Sequence, residues 1–159
     1  MAAQATTQRQ EGQAAGVVET VADRGARFDI ALLIRHPNLD PALITERLGL
    51  DALRAWKAGD ARTTPAGRLL PGRHADSCWN YVFHYKDTDR LSMAIEDILG
   101  TLKNHKPLLE EIDKTGGTTE LFLELPGDAN IGDGLSWVVL KKFATLKIGL
   151  SVETFPGLP

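Results

Sequence analysis

With 159 residues, 43% of them hydrophobic and 25% charged, the chain can bury a core without disulfides or metal and lies far from the composition of disorder. Eighteen basic against twenty-one acidic side chains leave a formal charge of -3. That is the wrong sign for a protein that binds by neutralising phosphates over its whole surface, which argues against nucleic acid as a general partner. A single cysteine, Cys78, excludes an internal disulfide and any multi-cysteine zinc site, and points to a reducing, cytoplasmic setting.

The first residues, Met1 to Thr20, are rich in Ala, Gln and Gly. They lack the basic and apolar regions of a signal peptide and any long apolar run, so no membrane association is expected. Residues 1–24 read as a mobile tail, with a helical turn near Val17 to Ala22, and residues 25–159 as a single α+β domain. The domain opens on a strand, Phe28 to Arg35, with Phe28, Ile30, Leu32 and Ile34 on one face at period two. His36-Pro37-Asn38 ends it. Asp40 then caps a short helix with Pro41 at its first position, an apolar stripe of Leu43, Ile44 and Leu48, and Gly49 as a left-handed stop.

Leu53 to Ala58 carries a weak strand signal. Between Gly59 and Asp76 neither period appears, only Gly59, Pro65, Gly67, Pro71 and Gly72 among polar residues, which predicts a long exposed loop. Ser77 to Tyr85 is a strand with Trp79, Tyr81, Phe83 and Tyr85 on one face. Asp87-Thr88-Asp89 opens a long helix with Leu91, Ala94, Ile95, Ile98, Leu99 and Leu102 as its stripe. Pro107 breaks or kinks it, and a second piece with Leu108, Leu109 and Ile112 runs to Gly116-Gly117. Leu121, Leu123 and Leu125 form a strand. Ser136 caps a helix carrying Val139, Leu140, Phe143 and Leu146. A last strand places Ile148, Leu150, Val152 and Thr154 on one face, before the terminator Pro156-Gly157-Leu158-Pro159. The order β-α-β-β-α-β followed by α-β predicts a ferredoxin-like split-βαβ sandwich extended by an extra helix and strand, its sheet mostly antiparallel with helices on one face.

Chemistry-bearing motifs are sparse. His36, His74, His84 and His105 have no metal-ligand spacing, and no cofactor motif is present. Cys78 with His74 or His84 admits a thiol-nucleophile reading, against which stands the simpler one of a small buried core residue. Asp128 to Gly134 fails the calcium-loop pattern, because Gly132, Asp133 and Val139 occupy its fifth, sixth and twelfth positions. Gly59-Asp60-Ala61-Arg62 is no phosphate loop. Trp56, Trp79 and Trp137 read as packing residues, with Trp56 as the best interface candidate.

One stretch opposes the charge of the rest. From Arg54 to His74 stand Arg54, Lys57, Arg62, Arg68 and Arg73 against Asp60 alone. Such a surplus can hold a carboxylate or phosphate, or dock on an acidic protein, although charged loops are most often simply solvated.

Taken in order, Asp40-Pro41, Ile44-Thr45, Leu48-Gly49-Leu50, Lys57-Ala58-Gly59-Asp60, Trp79, the long amphipathic helix and Ile148-Gly149-Leu150-Ser151-Val152 resemble the bacterial family called domain of unknown function 4279, over roughly Phe28 to Phe155. The resemblance implies no activity and no catalytic residues. It does imply that the chain is similar to proteins thought to act as immunity proteins against toxins. The ending Glu153-Thr154-Phe155-Pro156 departs from that family's more usual aromatic or acidic tail. The expectation is a non-enzymatic binding protein using Arg54, Trp56, Lys57, Arg62, Arg68 and Arg73. Its partner is a protein or a small anion; a small-molecule or anion-binding regulatory domain is the second reading, and a Cys78-dependent enzyme the third.

Overall fold

The computed structural model describes residues 28–85, 90–126 and 132–155. The expected N-terminal tail, the helix opening at Asp87 to Asp89, most of the loop from Gly127 to Gly134 and the closing residues 156–159 lie outside them. In chain order the elements are β1 (Asp29–His36), α1 (Pro41–Leu48), β2 (Arg54–Trp56), β3 (Ala61–Thr63), β4 (Leu69–Arg73), β5 (Ser77–Phe83), α2 (Leu91–Leu102), α3 (Lys106–Lys114), β6 (Thr118–Pro126), α4 (Trp137–Leu146) and β7 (Ile148–Phe155).

Five strands form one sheet in the order β2-β5-β1-β6-β7. β5 lies between β1 and β2 and is antiparallel to both, and β1 lies between β5 and β6 and is antiparallel to both. The crossovers through α1 and through α2 and α3 therefore each skip one strand, which is the split-βαβ arrangement. β7 extends the sheet by pairing parallel to β6. The structure is thus an α+β sandwich with a mostly antiparallel sheet. Ile30, Leu32, Ile34, Trp79, Leu121, Leu123 and Ile148 project from a single face into one cluster with Ile44, Leu48, Ile95, Ile98, Leu99, Leu109, Ile112, Val139 and Phe143 of the helices. All four helices hence cover the same face. Each such side chain fully buried contributes roughly 1.5–3 kcal/mol of transfer free energy.

Local chemistry sets the helix ends. Asp40 accepts from the Ala42 N–H at 3.0 Å, and Gly49 closes α1 at φ 67°. Its carboxyl is held below the ordinary range by the Lys57 ammonium at 2.9 Å and by that N–H. Ser136 caps α4 through the Val139 N–H. Pro107 falls in the first turn of α3, after a 3-10 turn over Lys103–His105, so it marks a helix start.

Two stripes differ from expectation. Leu43 in α1 and Leu140 in α4 are 47% and 49% exposed, and Pro41 takes the buried place beside Ile44 and Leu48. Trp79 is fully buried and donates to Thr45 Oγ1 at 2.9 Å, whereas Trp137 is 73% exposed and packs no core.

Candidate functional site

The stretch expected to be a long loop is a second, two-stranded sheet of β3 and β4. It is entered by a tight turn in which the Asp60 carboxylate accepts from the Lys57 N–H at 2.8 Å, with Gly59 at φ 89°. The Gly59 N–H donates to the His74 carbonyl and the His74 N–H returns to the Asp60 carbonyl, at 2.8 and 3.0 Å. At the tip, Thr64 and Arg68 are closed by the Thr64 N–H to Arg68 carbonyl bond and by Arg68 N–H donation to Thr64 Oγ1. The ladder shifts register between its two paired positions, next to Pro71 and Gly72.

This hairpin stands beside β2 and leaves an open-sided cleft of about 920 Å³, walled by Arg54, Trp56, Asp60, Arg62, Thr63 and His74 among others. Pairing of Trp56 with Cys78 and of Arg54 with Asn80 puts both on the sheet face opposite the helices. Trp56 stacks on His74 with ring centroids 4.5 Å apart and 21° between planes, so the imidazole covers one face of the indole. Its indole Nε1 is buried without a hydrogen-bond partner among the described residues.

The six residues singled out by charge and aromaticity separate here. Arg54, Trp56 and Arg62 line the cleft. Lys57 turns away to the Asp40 carboxylate at 2.9 Å, and Arg73 is held by the Gly59 carbonyl at 2.6 Å. Arg68 sits exposed at the hairpin tip, outside the lining. Neither Arg54 nor Arg62 has a side-chain partner among the described residues, and Asp60, the one acid in the wall, is occupied by the turn. His74, weighed only as a base for Cys78, and Asp60 are not among those six. The signal that would have found them is the Gly59-Asp60 turn, which requires a strand to return.

The thiol is on the same face but closed off. Cys78 is 3% exposed beside its cross-strand partner Trp56, and burial pushes its pKa up against a smaller opposing effect of Arg35. A protonated, covered thiol is a poor nucleophile. His74 is engaged with Trp56, and His84 is exposed beyond the end of β5.

Against known families, residues 26–155 match the model of a domain of unknown function, DUF4279. The chain belongs to the DUF4279 family. The match begins just before β1 and ends with β7, so this DUF4279 domain includes the appended α4 and β7 as well as the hairpin. No curated protein and no solved structure matches the chain. Among the described residues no helix is long and apolar enough to cross a membrane.

Proposed function

We propose that this chain is a bacterial, cytoplasmic, non-enzymatic binding protein of immunity type, whose cleft between β2 and the hairpin receives an acidic surface of a protein partner. The observation that supports it most is the pair of guanidiniums, Arg54 and Arg62, lining one cleft without side-chain partners among the described residues in a chain of net acidic charge. Forked guanidinium contacts suit carboxylates, and like-charge exclusion elsewhere on the surface sharpens the choice of site.

The test is partner capture from cells expressing the neighbouring genes, with the wild-type chain, Arg54→Glu/Arg62→Glu, and Arg68→Glu as bait. The double reversal should lose the partner and the tip reversal should keep it. Capture unchanged by the double reversal would remove the cleft from consideration.

A second reading, a small carboxylate or phosphate ligand, is favoured by the stacked Trp56–His74 pair, which lines the same cleft as the two guanidiniums. Thermal melts with inorganic phosphate and citrate decide it. A ligand at a hundred times its Kd adds about 2.7 kcal/mol of stability, and the double reversal should abolish that gain.

A further inference from the structure

The two edges of the main sheet are protected very differently. β2 is three residues long and flanked by the hairpin, whereas β7 runs for eight residues and pairs with no other described strand along its outer edge. A long edge is normally blunted by Lys, Pro or a bulge. On the helix-side face β7 instead presents Ile148, Leu150 and Val152, the last two 38% and 56% exposed. Above it, α4 adds more. Lys142 reaches Glu96 of α2, so that flank of α4 faces inward. A helical turn of 3.6 residues then places Leu140 and Ala144 on the opposite flank, facing past β7, with Trp137 at its rim.

We propose that this edge pairs with a second copy of the chain, β7 against β7 in antiparallel register with Leu150 opposite its own counterpart. Three observations select this occupant. First, the register is self-complementary: centred on Leu150, it sets Ile148 opposite Val152 and Gly149 opposite Ser151, apolar on one face and small on the other. A shift by one residue would put the two helical layers on opposite faces and separate the apolar pairs.

Second, charges match. Asp29, Glu124 and Glu153 lie side by side on three neighbouring strands of the open face, with no basic partner among the described residues. Like charges so placed repel. The proposed register sets Lys147 of the second copy opposite Glu153 at the end of the ladder, from where its long side chain, which leans to Asp113 on the helix side, can reach round to the open face. Lys147 is available for it, since its own contact with Asp113 is a long 3.6 Å and leaves the side chain 52% exposed.

Third, the layers fit: α4 packs on β7, so the pairing sets the two α4 helices side by side, with Leu140 and Ala144 facing the space between them.

Sedimentation of the full chain at a concentration on the order of 100 µM should give a dimer. Val152→Lys, at an exposed position, should give a monomer with an unchanged circular-dichroism spectrum. The register is read separately with a short bifunctional thiol cross-linker. Leu150→Cys should link copies efficiently, while Thr154→Cys, about 26 Å from its counterpart at 3.3 Å per residue, should not. A wild-type monomer overturns the proposal. So does a dimer that Val152→Lys leaves intact, or equal cross-linking at both positions.

Discussion

His36 closes β1 with a side chain that has two distinct ends. Its Nδ1 accepts from the N–H groups of Asn38 and Leu39 at 3.1 and 2.8 Å, so the ring proton is on Nε2, which donates to Thr115 Oγ1 at 2.8 Å. The Thr115 hydroxyl passes its own hydrogen to the Glu111 carbonyl. The imidazole thereby ties the start of α1 to the end of α3, a structural use of a histidine. Gly117 leaves room for it. A Cβ there would fall 2.7 Å from His36 Cδ2 and 2.8 Å from the Arg35 carbonyl oxygen, and the backbone cannot yield. Gly117→Ala should destabilise by about 1–3 kcal/mol in denaturant melts. Gly100→Ala, in the exposed side of α2 with nothing within 4 Å, should stabilise by about 0.4–1 kcal/mol. Cys78 allows an equally direct check. Alkylation of the native thiol should be far slower than in the unfolded chain, and fast native labelling would restore the nucleophile reading.

At the scale of elements, what could be read from the sequence is what has one buried face. α1 announces itself through Asp40, Pro41 and Gly49, and β1, β5 and β6 through period-two runs that the core demands. The split-βαβ order follows from those elements once the weak signal at Leu53 to Ala58 is counted as a strand, which the structure forms over Arg54–Trp56. The hairpin could not be read in the same way. β3 and β4 have almost no buried side chain, so no period is imposed on them, and Pro71 and Gly72 interrupt the longer strand. The basic surplus was visible, but its division into Arg54 and Arg62 inside the cleft and Lys57, Arg68 and Arg73 elsewhere depends on that fold. Leu140 misled for a related reason: it is apolar beside the core stripe yet on the outward flank of α4. Because the hairpin is held by its own turns, it should open as a local unit. Gly67→Ala, at φ 79°, should raise hydrogen exchange across residues 61–73 while leaving the global unfolding midpoint nearly unchanged.

Over the whole molecule, one carboxylate joins the two halves of the helical layer. Arg90 offers α2 no capping side chain, and Asp133, more than forty positions later, supplies the cap. It accepts from the Ser92 N–H at 2.9 Å and the Gly134 N–H at 2.8 Å, with Arg90 at 3.4 Å. The carboxylate is 10% exposed, and these bonds, the Ser92 N–H foremost, hold its pKa down to about 2 from an ordinary 3.8. A folded-state pKa below the unfolded one means that the stabilisation is complete above about 3.8 and is lost as pH falls toward 2. Below that value the cap is protonated and α2 loses its hold on the segment that leads into α4. Wild-type Tm should therefore fall as pH drops through this window. Asp133→Asn should lower Tm at neutral pH and flatten the acid decline. Asp40, lowered by Lys57 and the Ala42 N–H, titrates in the same direction, so some slope must persist in the variant. A decline of undiminished steepness would assign acid sensitivity to other carboxylates and reduce Asp133 to a local cap, whereas a flattened one identifies this contact as the acid-labile joint between α2 and the extension formed by α4 and β7.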